Sequence, residues 1–182
     1  HIPIAHISGG DVTLGAADEY YRHCITKMAA VHFPSCADSA ARLVRMGEAP
    51  ETVFCVGGLG DENIRTLPKM SREELCTSTG LPLQQPFALV TYHPETSADA
   101  GSPAAQSEAL CRAMAAVPGV YWLITGSNAD AGGQICTARM QRFAAEHPDR
   151  AGFIQSLGLR RYLSAMQYAA LVAGNSSSGV VE

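Results

Sequence analysis

Short apolar runs alternate with stretches of helical spacing along almost the whole chain. In the second half the runs are Phe87 to Tyr92, Val120 to Thr125, Phe153 to Gln155 and Ala170 to Ala173. Apolar runs of this kind, without polar alternation, suit strands of a parallel sheet covered on both faces. Helices are expected between them. Ser102-Pro103 puts proline at a first helical position and Pro118-Gly119 stops that helix. Two more are expected over 134–146 and 159–168. The last run, extended back to Ala169, reads as a buried strand, and a helix should begin in the serines after it. The order β-α-β-α-β-α-β predicts an α/β fold with a doubly wound parallel sheet and right-handed crossovers. Loops that follow the strands then gather at one edge of the sheet, where ligands of such folds bind.

The first half repeats the alternation in shorter pieces. Ile2 to Ile7, Val31 to Phe33 and Val53 to Val56 read as strands. Asp18 to Ala30 carries Tyr21, Ile25 and Met28 at spacings of four and three, an amphipathic helix with those three on its apolar face. Ala37 to Met46 is a helix that Gly47 can close. A glycine-rich turn, Gly57-Gly58-Leu59-Gly60, precedes a break in the pattern. Ser71 and Glu74 then have capping-box spacing at the start of a short helix. A domain boundary is expected at the break, giving 1–66 and 67–182.

Composition narrows the function classes. The chain is 47% hydrophobic and 16% charged, with net charge −4, so it has no basic footprint for nucleic acid. No apolar run reaches the roughly 20 residues of a membrane helix. The six cysteines are dispersed without a C-x-x-C pair, which suits a reduced, cytoplasmic protein. The histidines form no H-x-H or H-x-x-x-H pair, so no zinc site is expected. No cofactor is expected either.

Four segments carry candidate chemistry. At the end of the chain, Gly174-Asn175-Ser176-Ser177-Ser178-Gly179 places small residues and hydroxyls where a helix should begin. Free backbone N–H groups and hydroxyls there suit a nucleotide diphosphate, and the glycines allow close approach. Glu182 would stand further along that helix, within reach of a ribose. In Thr91-Tyr92-His93-Pro94-Glu95-Thr96, His93 leaves a strand and is held extended by the following proline. The loop 126–133, containing Asn128, is polar and glycine-rich. Finally, His6-Ile7-Ser8-Gly9-Gly10-Asp11 precedes a helix with Asp18, Glu19, Arg22 and His23 on neighbouring turns. Asp18 and Arg22 are spaced i,i+4, and Glu19 reaches Arg22 and His23.

Together these segments resemble the UDP-N-acetylglucosamine 2-epimerase family, most closely its hydrolysing branch. The resemblance rests on GGDVTLGAADEYYRHCITKM at 9–28, VGGLGDEN at 56–63, YHPET at 92–96, GSNADAGG at 126–133 and GNSSSGVVE at 174–182. It implies two Rossmann-like domains of GT-B-like architecture with an active site in the cleft between them. Residues 1–66 would be the end of the first domain and 67–182 most of the second. The fold would then be incomplete at both ends.

The resemblance also implies roles. His93 matches the family's active-site histidine, and Asp18 and Glu19 the carboxylates before the helix arginine, Arg22. Ser176 and Ser177 match the diphosphate-binding serines, with Gly174 and Asn175 in the same loop. Glu182 matches the ribose-binding glutamate, and Asn128 a residue on the nucleotide side. His6 and Asp11 belong to the upstream glycine-rich segment. Ser8 departs from a position that is often glutamate, and Asp11 stands where hydrolysing relatives usually have glutamate. The implied reaction is elimination of UDP to 2-acetamidoglucal, then hydration to N-acetylmannosamine. The implied partner is a UDP-sugar, with a homo-oligomeric assembly at full length. A non-hydrolysing epimerase, a relative acting on a diacetamido-trideoxy sugar nucleotide, a glycosyltransferase of the GT-B kind and an inactive nucleotide-binding fragment are the alternatives.

Overall fold

Five consecutive buried residues, Phe87–Thr91, form strand β3 at the centre of the computed structural model. (Strands are numbered along the chain: β1, Ala5–Ile7, and β2, Val31–Phe33, come earlier.) The structure describes residues 2–15, 17–95, 101–129 and 131–181. They form two compact units, His1–Thr66 and Leu67–Glu182.

In the Leu67–Glu182 unit, β3 pairs in parallel with β4 (Tyr121–Thr125) on one side and β6 (Leu171–Gly174) on the other. Beyond β4 lies β5 (Ala151–Ile154), so the order is β5-β4-β3-β6. The chain lays down two strands to one side of β3 and then crosses back to the other. That reversal makes the switch point where doubly wound sheets bind ligands.

Strand periodicity sorts the core into two layers. Ala88, Val90, Trp122 and Ile124 pack on Cys111 and Met114 of α5 (Pro103–Ala116) and on Met140 and Phe143 of α6 (Gly133–Glu146). Phe87, Leu89, Tyr121 and Leu123 face the other way. They meet Leu75 of α4 (Arg72–Thr79) and Ala165 of α7 (Gly158–Tyr168). Each large apolar side chain so buried stabilises the unit by roughly 1.5–3 kcal/mol. The helix starts follow their sequence signals. Ser71 Oγ accepts from Glu74 N–H at 3.1 Å while the Glu74 carboxylate accepts from Ser71 N–H at 2.7 Å. Ser102 caps α5 through Ala105 N–H at 3.2 Å.

Strand β6 departs from the expectation of a buried strand. It lies at the sheet edge, paired to β3 alone among the described residues, and Leu171 is 56% exposed. After it α8 (Ser178–Val181) is a single turn.

The His1–Thr66 unit is built differently. Strands β1 and β2 pair in parallel with His6 opposite His32. Val53 bridges to His32, and the N–H groups of Phe54 and Val56 donate to the carbonyls of His32 and Pro34. The stretch expected as a third strand thus runs beside β2 but forms only a bridge. Helices α1 (Ala17–Met28), α2 (Ala37–Arg45) and α3 (Leu59–Thr66) follow in chain order, α3 occupying the expected glycine-rich turn and break. The apolar face expected on α1 is not its packed face. Tyr21 and Met28 are 65% and 62% exposed, whereas Thr26 is wholly buried. The helix turns its polar stripe of Glu19, Arg22, His23 and Thr26 inward, because backbone and side-chain partners wait for it there.

Candidate functional site

Three loops meet at the carboxyl edge of the larger sheet. After β3, His93 N–H donates to the Asn175 side-chain oxygen at 2.8 Å, and the Asn175 amide donates to the His93 carbonyl at 2.7 Å. Asn175, in the loop after β6, thus grips the His93 main chain at both ends. In the loop after β4, Asn128 N–H donates to His93 Nδ1 at 3.0 Å. The sequence-predicted residues His93, Asn128 and Asn175 therefore come together. Asn175 does so as a clamp, with both ends of its amide on His93.

Gly174 makes this approach possible. Its φ is 138°, and a Cβ there would run into the Thr91 carbonyl. Only glycine suits that backbone and that proximity.

The serines join a run of hydroxyls. Thr125 Oγ1 lies 3.2 Å from the Val90 carbonyl and 2.8 Å from Thr91 Oγ1. Thr91 is 3.1 Å from the Tyr162 hydroxyl, Tyr162 is 2.7 Å from Ser178 Oγ, and Ser178 is 2.9 Å from Ser176 Oγ. A carbonyl only accepts, and each hydroxyl has one proton. Thr125 donates to Val90, so Thr91 donates to Thr125, Tyr162 to Thr91, Ser178 to Tyr162 and Ser176 to Ser178. The direction of every link is set by the carbonyl at one end. Ser177 is exposed, and its hydroxyl makes no hydrogen bond among the described residues. A cavity of about 370 Å³ opens beside this run, lined by Thr91, Thr125, Gln155, Leu157, Tyr162 and Ser176 among others. Glu182 lies outside the described residues.

In the smaller unit the predicted residues separate into two groups. Glu19 is pinned: Oε2 accepts from Thr13 N–H at 2.6 Å and from Arg22 at 3.5 Å, and Oε1 meets His23 Nε2 at 3.1 Å. The Thr13 amide above all, with His23 and Arg22, holds its carboxyl below the ordinary range. Arg22 also donates to the Asp11 carbonyl at 3.1 Å, and the Asp11 carboxylate accepts from Ser35 and Ser39 at 3.1 and 2.7 Å. These bonds tie the turn at 8–13 to α1 and α2. Asp18 takes no part in them; it is exposed, and the i,i+4 pair with Arg22 expected from spacing does not form. His6 is turned inward rather than toward an open site. Its Nδ1 lies 3.1 Å from Thr26 Oγ1, and burial first, then His32 and Arg22, holds its imidazole below the usual histidine value.

The pinned Glu19 predicts a pH effect. A carboxyl lowered on folding stabilises the fold above its unfolded value, and that contribution is lost as pH falls through the lowered folded value. Glu19→Gln removes this loss. Below about pH 4.5, the group's ordinary value, the parent should lose stability more steeply than the variant in denaturant titrations. Parallel curves through the acid range would show that the Thr13 bond does not perturb Glu19.

Among the described residues, no helix is long and apolar enough to cross a membrane, and no group of three or more His, Cys, Asp or Glu side chains is placed to hold a metal ion. The sequence pattern of the family UDP-N-acetylglucosamine 2-epimerase matches residues 1–182. The chain belongs to this family.

Among its relatives is Polysialic acid biosynthesis protein P7 of Escherichia coli, 36% identical over 183 residues, covering 100% of this chain and 46% of that protein. Another is the hydrolyzing GDP/UDP-N,N'-diacetylbacillosamine 2-epimerase of Campylobacter jejuni, 32% identical over 182 residues, covering 100% of this chain and 47% of that protein. The chain spans about half the length of the curated relatives it matches. Among solved structures, the UDP-GlcNAc 2-epimerase of Neisseria meningitidis bound to UDP-GlcNAc aligns with TM-score 0.69 at 14% identity, over 96% of this chain and 48% of that one. The S. aureus MnaA–UDP co-structure aligns with TM-score 0.68 at 18% identity, over 96% and 47%. At such identity the likeness is one of fold: a GT-B-like α/β fold with Rossmann-like parallel sheets.

Within this epimerase-family chain, sequence reasoning passed over Thr125 and Tyr162, and gave Thr91 and Ser178 no role beyond their place in the candidate segments. Two of them left a signal. FALVT and YWLIT each end on threonine, and adjacent parallel strands place those hydroxyls side by side. Tyr162 left none, because its hydroxyl partners, Thr91 and Ser178, come from two other elements.

Proposed function

We propose that the protein is a hydrolysing 2-epimerase of a UDP-linked 2-acetamido sugar, UDP-N-acetylglucosamine in the first place, releasing UDP and N-acetylmannosamine for sialic-acid synthesis. One observation carries the reading. In a chain of this family, His93, the Asn128 amide and the serine loop converge at the switch point of a doubly wound sheet. Ser176 and Ser177 are the proposed donors to the diphosphate. The wall formed by Leu157, Leu159 and Tyr162 is the proposed seat of the nucleoside. Glu182 keeps its proposed ribose contact. The free cysteines support the reading of a cytoplasmic protein, and a homo-oligomer is proposed for the whole protein.

The reaction divides into an elimination and a hydration. A base takes the proton from sugar C2, the freed pair forms the C1–C2 double bond, and the C1–O bond breaks with its electrons going to UDP. Water then adds across the double bond, its hydroxyl to C1 and a proton to C2, on the face that gives the manno product. Asp18 is the proposed base, since its carboxylate is exposed and uncommitted. Glu19, lowered and triply bonded, supports the turn instead. His93 and the serines stabilise the charge that gathers on the leaving diphosphate.

The names of two relatives favour a second substrate. The Campylobacter protein at 32% identity and a Legionella pneumophila protein at 30% are both named diacetylbacillosamine 2-epimerases. Incubation of the whole protein with each UDP-sugar in D2O, followed by proton NMR, separates the cases. Free N-acetylmannosamine deuterated at C2, together with UDP, is the expected product. Turnover of the diacetamido sugar alone moves the assignment to that substrate. UDP-N-acetylmannosamine as the end product, or turnover of neither sugar, sinks the hydrolysing reading.

A further inference from the structure

The geometry assigns His93 one ring tautomer, with its proton on Nε2, and makes Asn175 the residue that positions it for that role. The inference deepens the proposed function, since the use made of the proton rests on that reading.

The bond from Asn128 decides the tautomer. A main-chain N–H can only donate, so Nδ1, 3.0 Å away, must accept and carries no proton. The neutral ring then has its one N–H at Nε2, which meets no partner among the described residues. Which nitrogen of a histidine carries the proton is set by the bond the other nitrogen makes. Here that bond comes from the backbone, which no change of side chain at Asn128 removes.

The tautomer limits what His93 does. A neutral imidazole with Nδ1 occupied has no free lone pair to offer, so it cannot take the proton from sugar C2. It offers a hydrogen-bond donor at Nε2. A neutral ring donates that bond to the departing diphosphate oxygen without giving up the proton, and so stabilises developing charge as a fixed dipole. Base chemistry falls to another group, Asp18 in the proposed function.

Asn175 supplies the register on which this depends. Its amide oxygen takes His93 N–H and its amide nitrogen gives to His93 C=O, so it pairs with the His93 main chain as a neighbouring strand would. The clamp fixes the His93 backbone relative to the loop after β6. From there the ring reaches the Asn128 amide in the loop after β4. Without it the loops after β3 and β4 are still joined by the bond from Ser127 Oγ to the Tyr92 carbonyl at 2.6 Å, but the His93 main chain loses both partners that set its register.

The test uses the whole protein labelled with 15N-histidine. Two-bond proton–nitrogen correlation spectra give the tautomer of each neutral ring, and the His93 signals are those missing in His93→Gln. The expected His93 pattern is an unprotonated Nδ1 and a protonated Nε2. In Asn175→Ala the two nitrogens should move toward the average of the tautomers. Turnover should fall by roughly 10- to 100-fold, the scale of a small misplacement. KM for UDP-N-acetylglucosamine should change by less than about threefold. Asn175→Asp keeps the acceptor for His93 N–H and the side-chain size but loses the donor. It should show the same two changes, and it serves if the alanine variant does not fold. A neutral His93 ring protonated on Nδ1 overturns the tautomer. An unchanged spectrum and an unchanged kcat in both variants overturn the role of Asn175. The expected tautomer in a protein whose His93→Ala variant turns over normally removes the proposed catalytic role of His93 and leaves the ring assignment standing.

Discussion

His93→Ala is expected to lower turnover by roughly 10²-fold or more, the usual scale for a positioned catalytic group, while the protein stays folded. The two halves of this expectation have separate grounds. The His93 side chain is half-buried and, among the described residues, makes one hydrogen bond, accepted from an amide in an exposed stretch of loop. Its removal returns that amide to water and leaves no cavity in either core layer. Surface changes of this kind usually alter stability by about 0.5 kcal/mol or less. The clamp from Asn175 is to the main chain and survives the substitution. Steady-state rates with UDP-N-acetylglucosamine, beside a melting curve, check both halves. Near-parental turnover in the folded variant would show that the convergence at the sheet edge serves something other than the reaction.

Gly174→Ala should have the opposite character, a large loss of stability. The backbone at φ 138° is strained for any residue with a side chain, at about 1–3 kcal/mol. The added Cβ also meets the Thr91 carbonyl, which is main chain and cannot rotate away. Overpacking of this kind adds roughly 1–3 kcal/mol. Thr91 is held between two strands, paired to β6 at Gly174 and bonded through its hydroxyl to Thr125. The total is about 2–6 kcal/mol, or a drop of roughly 4–24 °C in the melting temperature of a chain this size. Denaturant unfolding measures it directly. A variant as stable as the parent would mean that β6 slides along β3 at little cost.

How far the sequence could be read depended on where each residue's partners lay. FALVT and YWLIT announced buried parallel strands because both of their faces are covered within one unit. Ser71 and Glu74 announced a helix start because the capping box is complete within four residues. The α1 stripe of Tyr21, Ile25 and Met28 misled, since the partners that chose the other face are a turn amide, a carbonyl and a histidine of β1. Helical periodicity cannot register those. β6 carries an apolar run yet has one partner strand among the described residues, because such a run points to burial and not to the number of neighbouring strands. The same limit applies to the candidate site. His93, Asn128 and the serine loop were legible as loops after strands, which topology gathers at one edge. That Asn175 would spend its amide on His93, and that Asp18 would stand apart from Arg22, are matters of ångströms.

The directed run of hydroxyls from Ser176 to Val90 makes the two serines of the loop unequal. Among the described residues Ser177 holds an uncommitted proton, available at once to the proposed diphosphate. The proton of Ser176 already belongs to Ser178, and an anion receives it only after the hydroxyl has swung outward. Because the Val90 carbonyl fixes every later link, the rearrangement ends at Ser178 and does not enter the sheet. No heavy atom has to move. An empty loop and a filled one can then superpose atom for atom, with the record of occupancy kept in a single hydrogen.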